Sequence, residues 1–274
     1  MMLNAEQSQE FEFRSADFHA VRTRLKTIAG INLSESKDSM VYSRLSRRIR
    51  HLKLQSFSEY LRYVDTHSEE HEEFVNALTT NLTSFFRENH HFDYLKDYLR
   101  SHRRPLKIWC AAASTGEEPY SIAMTVVEAF GKFDIPVEIT ASDIDSKVLA
   151  KARAGIYDIK LVESLAKDIK KRYFHRGKGK NTNLARVVPE LRQLINFRKI
   201  NLINNTWDLH KDFDIVFCRN VMIYFDKPTQ LQILKKIVGH MKPNGIYFAG
   251  HSENFSHVST LLTPLGKTIY QPKA

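Results

Sequence analysis

Two adjacent carboxylates stand at the start of a predicted helix, directly after a glycine turn. The apolar residues 106–111 predict a buried strand, residues 114–116 predict a turn, and Glu117 and Glu118 open the helix that follows. A helix N-terminus attracts anions, so a pyrophosphate site would have glycines and a hydroxyl or lysine at this point, whereas two acids repel phosphate groups. We therefore expect a nucleoside-like ligand without phosphates here, and S-adenosylmethionine fits.

A third acid follows the second predicted strand. Residues 137–142 predict a strand, and Asp143 comes directly after it. In open parallel sheets, ligands bind beyond the carboxyl ends of the strands, where an acidic residue accepts the ribose hydroxyls of a nucleoside. We expect Asp143 to bind the ribose of the same ligand.

Two more clusters carry polar residues beside buried segments. Arg219, Asn220 and Tyr224 follow the apolar strand 213–218, and residues 81–88 combine two adjacent phenylalanines with Arg87, an unusual composition for a linker. Methyltransferases that act on amide or base nitrogens often carry an Asn/Asp-Pro-Pro-aromatic tetrad after such a strand. Its absence here argues against DNA or RNA bases as the acceptor.

The elements that position these clusters follow from the hydrophobic pattern. Residues 16–80 show helical periodicity and predict a small helical bundle, while strands alternate with helices from residue 106 onward and predict a parallel sheet. Residues 243–245 predict a turn before strand 246–249. Strand 267–270 follows without a helix and predicts an antiparallel edge. Residues 155–189 interrupt the alternation of strands and helices and predict a small inserted β element with a hairpin loop.

Composition and charge limit the function classes. The chain has 274 residues, of which 42% are hydrophobic and 26% charged, and its net charge is +10. An anionic partner is expected, and much of the basic charge lies on the predicted amphipathic helix that contains Arg44, Arg47, Arg48 and Arg50. Membrane-spanning runs, a signal peptide and metal-ligand spacings are missing, so we expect a cytoplasmic protein without a metal.

Together these clusters resemble the CheR family of chemotaxis receptor methyltransferases, which are protein-glutamate O-methyltransferases. The resemblance covers nearly the whole chain. It rests on the basic helix at 44–50, Asn-Leu-Thr-Ser-Phe-Phe-Arg-Glu at 81–88, Ala-Ser-Thr-Gly-Glu-Glu-Pro-Tyr-Ser at 113–121, Ser-Asp-Ile-Asp at 142–145, Asn-Leu at 201–202, Cys-Arg-Asn-Val-Met-Ile-Tyr-Phe at 218–225 and Gly-His-Ser-Glu at 250–253.

The resemblance implies an α/β fold with a class I, Rossmann-like methyltransferase sheet that ends in an antiparallel hairpin. It further implies an N-terminal all-α domain over residues 1–80 that docks on the receptor. The S-adenosylmethionine-dependent methyltransferase domain would cover residues 81–274, with an inserted β-subdomain at about residues 170–194.

The implied reaction moves the methyl group of S-adenosyl-L-methionine to glutamate γ-carboxylates in the cytoplasmic helical region of chemoreceptors during adaptation in bacterial chemotaxis. S-adenosyl-L-homocysteine is the second product. Catalytic roles fall to Arg87 and Tyr224. The cofactor pocket implied by the family consists of Asn81, Thr83, Arg87, Glu117, Asp143, Asn201, Leu202, Arg219 and Asn220. Arg44, Arg47, Arg48 and Arg50 would dock on the receptor.

The loop 176–186 resembles the family's β-subdomain loop, which in some members binds a C-terminal pentapeptide of the receptor. Gly177 and Gly179 match that loop, whereas Asn183 stands where a third glycine is expected. Asn tolerates the left-handed conformation better than most residues, so we expect the loop to keep its shape. The expected protein is a monomer, recruited to membrane receptor arrays, that neither binds nucleic acid nor inserts into the membrane.

Other functions fit parts of the pattern. A nucleotide-dependent dehydrogenase is disfavoured because no Gly-x-Gly-x-x-Gly follows the first strand. A methyltransferase-fold signalling module that binds S-adenosylmethionine without turnover, and a methyltransferase acting on another acceptor, both remain open at this point.

Overall fold

The computed structural model describes residues 10–253, 255 and 260–273. These residues divide into two compact units. The first comprises the described residues up to Thr80 together with Tyr224–Asp226, and the second comprises the remaining described residues. In the part of the chain that the structure describes, no helix is long and apolar enough to cross a membrane.

The first unit is helical. Its α-helices among the described residues are α1 (Ser15–Ala29), α2 (Asp38–His51), α3 (Phe57–Thr66) and α4 (Glu70–Leu78). The predicted amphipathic character of α2 agrees with the full burial of Val41, Leu45 and Ile49. Ser56 caps α3, because its side chain accepts a hydrogen bond from the Glu59 N–H at 3.1 Å.

The second unit alternates helices and strands. Its helices are α5 (His90–Ser101), α6 (Glu117–Phe130), α7 (Ser146–Ala154), α8 (Ile159–Glu163), α9 (Lys167–Tyr173), α10 (Pro189–Gln193) and α11 (Lys227–Val238). Its strands are β1 (Leu106–Cys110), β2 (Val137–Asp143), β3 (Ile156–Asp158), β4 (Phe174–Arg176), β5 (Leu184–Val187), β6 (Ile195–Lys199), β7 (Phe213–Phe217), β8 (Met241–Phe248), β9 (Leu262–Gly266) and β10 (Ile269–Pro272).

Seven of these strands form the main sheet, in the order β6-β2-β1-β7-β8-β10-β9. Strands β6, β2, β1, β7 and β8 run parallel, and β10 pairs antiparallel with both β8 and β9. Every residue of β7 is buried, as expected for a parallel strand covered on both faces. The predicted class I methyltransferase sheet is confirmed, and the carboxyl ends of β1, β2, β6 and β7 lie along one edge.

The predicted antiparallel pairing of the last strand is confirmed, but its edge position and the turn at residues 243–245 are wrong. The edge strand is β9, and β10 lies inside the sheet between β8 and β9. Strand β9 contains Pro264, which cannot donate a ladder hydrogen bond and so suits an edge. Residues 243–245, predicted as a turn, lie within β8 as an irregularity, because Phe213 pairs with Met241 but Ile215 pairs with Ile246.

A second, three-stranded antiparallel sheet has the order β3-β5-β4. The loop between β4 and β5 turns through a short 3-10 helix, Gly179–Asn181, and Gly179 takes a left-handed φ of 59°. Asn183 is not among the described residues with positive φ. Its carbonyl accepts the Ile159 N–H at 2.7 Å. The loop therefore does not need a residue that tolerates a left-handed φ at position 183.

Candidate functional site

The turn between β1 and α6 needs its glycine. Gly116 has a φ of 103°, and a Cβ at this position would lie 2.7 Å from the hydroxyl of Tyr157. That hydroxyl donates to the Thr115 carbonyl at 2.8 Å. The Ser114 N–H donates to the Asp143 carboxylate at 2.8 Å. The turn is therefore joined to the end of the neighbouring strand β2.

Asp143 closes strand β2 with its carboxylate held by backbone groups. Its Oδ2 accepts from Ser114 N–H, and its Oδ1 accepts from Asp145 N–H at 3.0 Å. Burial raises the pKa of Asp143 above its ordinary value, although backbone hydrogen bonds from Asp145, Ser114 and Ile144 act to lower it. A carboxylate has about four acceptor sites, so Asp143 can accept a further hydrogen bond from a ligand.

Glu117 is a buried carboxylate at the first position of α6. Its residue is 4% exposed, and Thr115 Oγ1 donates to its Oε2 at 2.7 Å. Burial raises the pKa of Glu117 above its ordinary value. Among the described residues no cation pairs with this carboxylate. A buried anion without a counter-charge is unfavourable, and a cationic ligand group would satisfy it.

Glu118, the second acid of the turn, belongs to an internal ion-pair network. The guanidinium of Arg219 is fully buried and donates to Glu118 Oε2 at 2.6 Å. The same guanidinium lies 3.1 Å from Glu88 Oε2 and donates to the Arg87 carbonyl. Burial raises the pKa of Glu118 despite this cation. Arg219, which is predicted to line the cofactor pocket, thus lies between two carboxylates. Its contacts join three segments, which are the loop after β7, the start of α6 and the segment 81–88.

The segment 81–88 runs without helix or strand beside the β1–α6 turn. The Asn81 amide donates to Asp145 Oδ2 at 3.4 Å, and its carbonyl accepts from the Ser114 hydroxyl at 3.3 Å. Further along, the Phe86 N–H donates to the Ser121 hydroxyl at 2.9 Å. These contacts place the predicted residues Asn81, Thr83 and Arg87 next to the loops that carry Glu117 and Asp143. Thr83 and Arg87 are half-buried.

Asn201 and Leu202 follow strand β6. Trp207 Nε1 donates to the Asn201 carbonyl at 3.1 Å, and Lys236 Nζ donates to the Leu202 carbonyl at 2.9 Å. The same ammonium lies 4.8 Å from the centre of the Trp207 ring. The loop after β6 is therefore held by a lysine from α11, which was not predicted as a site residue.

Asn220 follows β7 and takes a left-handed φ of 57°. Its amide donates to Glu88 Oε1 at 3.3 Å. The buried Glu253 carboxylate accepts the Val221 N–H at 2.9 Å and the Met222 N–H at 2.8 Å, which supports the same loop. The sequence alone indicated no role for Glu88 and only a structural or supporting role for Glu253, although both stand inside the motifs at 81–88 and 250–253.

Tyr224 ends the 3-10 helix Met222–Tyr224 and is half-buried. It belongs to the first compact unit, where its carbonyl accepts the Asn32 N–H at 2.7 Å. Its role toward an acceptor stays a prediction.

The four predicted docking arginines of α2 have different partners. Arg48 donates to the buried Glu70 at 2.6 Å, and Arg44 donates to the Thr79 carbonyl at 2.7 Å, so both stabilise the first unit. Arg50 pairs with Glu10 in an exposed ion pair. Arg47 is exposed and forms no ion pair or hydrogen bond with any described residue.

Comparison with known proteins covers both units. Residues 81–271 match the family model described as CheR methyltransferase, SAM binding domain, and residues 16–79 match CheR methyltransferase, all-alpha domain. The chain is 56% identical to chemotaxis protein methyltransferase 2 of Pseudomonas aeruginosa, covering 97% of this chain and 96% of that protein. It is 45% identical to the chemotaxis protein methyltransferase of Escherichia coli, covering 96% and 93%. Among solved structures, the glycopeptide N-methyltransferase MtfA complexed with sinefungin is similar at 13% identity and a TM-score of 0.35, covering 58% of this chain and 48% of that one.

Proposed function

Because this chain belongs to the CheR methyltransferase family, we propose that it transfers the methyl group of S-adenosylmethionine to glutamate γ-carboxylates of chemotaxis receptors, forming methyl esters. The observation that carries the proposal is the buried Glu117 carboxylate at the start of α6. It has no cationic partner among the described residues, and Asp143 lies at the end of the neighbouring strand. Such a pair of acids suits a nucleoside that carries positive charge and no phosphate.

The residues present fit this cofactor. Asp143 keeps free lone pairs for the ribose hydroxyls, and Glu117 would accept the methionine ammonium. The pocket would be completed by Asn81, Thr83, Arg87, Asn201, Leu202, Arg219 and Asn220. When bound, S-adenosylmethionine supplies a methyl group on a cationic sulfur, which makes that carbon electrophilic.

The chain then needs to orient its substrate rather than activate it. A receptor glutamate with a pKa of about 4.3 is already ionised at neutral pH, so no general base is required. Holding the reacting atoms in line can contribute roughly 7–11 kcal/mol. We assign orientation of the carboxylate to Arg87, whose guanidinium donates to the Leu82 carbonyl at 3.1 Å, and to Tyr224. Exclusion of water favours the cancellation of charge between an anionic nucleophile and a cationic sulfur.

Receptor recognition would use two surfaces. The exposed Arg47 of α2 is available to acidic side chains of a receptor helix, and Arg50 would have to exchange Glu10 for a receptor acid. The loop with Gly177, Gly179 and Asn183 would bind a receptor pentapeptide. We further propose a cytoplasmic enzyme that receptor binding brings to the membrane.

Transfer of tritiated methyl from labelled S-adenosylmethionine to receptor-rich membranes tests the function. We expect label on the receptor band that base releases as methanol, as a methyl ester requires. Cofactor binding without transfer would instead support a signalling module, and base-stable label would indicate a different acceptor. Membranes whose receptors carry glutamine at the methylated positions are the matched control and should stay unlabelled.

A further inference from the structure

Glu88 combines backbone strain with a buried charge. It directly follows Arg87, its φ is 58°, and its side chain is 9% exposed. A non-glycine residue in the left-handed region costs free energy, so surrounding contacts must hold it there.

The Glu88 carboxylate joins three segments of the second unit. Oε1 accepts the Asn220 amide at 3.3 Å and the His251 N–H at 3.1 Å, and Oε2 lies 3.1 Å from Arg219 Nη2. Burial alone would raise the pKa of Glu88, but Arg219 and these hydrogen bonds outweigh it, and the pKa lies below its ordinary value. Glu88 therefore remains charged and holds both polar residues that follow β7.

The Glu88 carboxylate also lies close to the buried imidazole of His91. His91 is fully buried, and its Nε2 lies 3.0 Å from the Lys267 carbonyl, which can only accept. Burial lowers the pKa of His91 to about 4, so the ring is neutral at physiological pH and Nδ1 is an acceptor. This Nδ1 lies 3.6 Å from Glu88 Oε2 and has no hydrogen bond within the described residues, whereas Oε2 is in an ion pair with Arg219. Two buried acceptors that face each other destabilise a fold.

We propose that Glu88 is a positioning residue of the methyl-transfer site, which holds Asn220 and Arg219 in place for the cofactor. This inference rests on the proposed function. A residue kept only for the scaffold would affect stability and leave cofactor binding unchanged. Replacing Glu88 by Gln removes the charge that holds Arg219 and Asn220. In either orientation the new NH₂ group faces another donor, which is Arg219 Nη2 on one side and the Asn220 amide with the His251 N–H on the other.

The variant Glu88→Gln in the full chain separates the two roles. We expect the Kd for S-adenosylhomocysteine, measured by calorimetry, to rise about tenfold, with a fall in Tm no larger than that of the control variant. Asp214→Asn is the matched control. Asp214 is a buried carboxylate paired with Arg104 at 2.7 Å and Lys242 at 2.8 Å, but it lies near the start of β7, away from the carboxyl ends. This control should lower Tm and leave the Kd unchanged.

A double-mutant cycle with Asn220→Ala tests whether Glu88 acts through Asn220. We expect the double variant to bind only slightly more weakly than Asn220→Ala alone. A wild-type Kd in Glu88→Gln, or additive effects in the cycle, would overturn the positioning role. If Glu88→Gln does not fold, Glu88→Asp enters the same cycle and is judged by the same coupling. Failure of the wild type itself to bind S-adenosylhomocysteine would count against the proposed function instead.

Discussion

The buried acids of the second unit differ in what neutralises them. Glu88 and Glu118 share the guanidinium of Arg219, and Asp143 accepts several backbone N–H groups. Glu117 accepts a hydroxyl and has no cation among the described residues. Since a buried charge is stable only when it is paired or hydrogen-bonded, Glu117 is the acid whose charge a ligand can best satisfy.

We expect Glu117→Gln to weaken S-adenosylmethionine binding and to flatten its pH dependence. Burial raises the pKa of Glu117, so the wild-type site loses its negative charge as the pH falls through that raised pKa, and its affinity for a cation falls as well. Calorimetric Kd values between about pH 5 and pH 8 measure this effect. Identical pH profiles for variant and wild type would contradict it.

The same substitution has an expected effect on stability. A carboxyl whose pKa is raised by folding contributes stability at low pH that is lost as the pH rises through the folded-state pKa. At neutral pH the ligand-free Glu117→Gln protein should therefore melt at the same temperature as the wild type or higher. A marked fall in Tm would show that Glu117 stabilises the fold.

Asp143 and Tyr224 should affect different kinetic constants. Asp143→Ala should raise the cofactor Kd about 10- to 100-fold, because hydrogen bonds to a charged group are lost. Tyr224→Phe should lower kcat about three- to tenfold and leave the cofactor Kd nearly unchanged, because it removes one neutral hydrogen-bond donor from the receptor glutamate that takes up the methyl group. Calorimetry and steady-state methylation rates measure the two effects. Equal kcat for Tyr224→Phe and the wild type would exclude the orienting role.

At the scale of elements, helix α2 divides its cations between structure and surface. Arg48 binds Glu70, which is also the hydrogen-bond partner of the Tyr60 hydroxyl at 2.9 Å. Arg44 donates to carbonyls at the end of α4, where a cation is favourable. Fewer cations of α2 can therefore contact a partner than the sequence predicts, and Arg47 is the most accessible of them.

Charge reversal at two neighbouring positions of α2 tests this division. Arg47→Glu should reduce receptor methylation and leave Tm within the small range typical of surface changes. Arg48→Glu should lower the free energy of unfolding by about 3–5 kcal/mol, because it leaves the buried Glu70 unpaired beside a second acid. Urea unfolding and receptor methylation assays measure both. If the Arg47→Glu variant methylates the receptor at the wild-type rate, α2 has only a structural role.

The whole molecule carries a net charge of +10, which favours association with an acidic partner. Receptor recognition by exposed cations is screened by salt, since the Debye length is about 10 Å at 0.1 M, whereas a buried carboxylate is screened much less. We expect kcat/KM for the receptor to fall several-fold between roughly 0.05 M and 0.3 M NaCl, with little change in the cofactor Kd. Parallel losses in both constants would argue against electrostatic docking.

The hydrophobic pattern predicted the parallel part of the main sheet and the edge where its polar clusters meet, but not the arrangement of the C-terminal strands. Alternating strands and helices imply parallel pairing, and parallel pairing brings the ends of β1, β2, β6 and β7 to one edge. Glu117, Asp143, Asn201 and Asn220 all follow those strands. Their proximity was therefore predictable from local sequence and the direction of the strands.

Tertiary structure decided which of these charges are satisfied internally. Arg219 pairs with Glu118 and Glu88, Arg48 pairs with Glu70, and β9 takes the sheet edge. Each of these outcomes depends on contacts between residues far apart in the chain. Hydrophobic periodicity records which face of an element is buried, but it carries no information about which distant partner that face meets. The pairing of buried charges therefore became visible only in the folded chain.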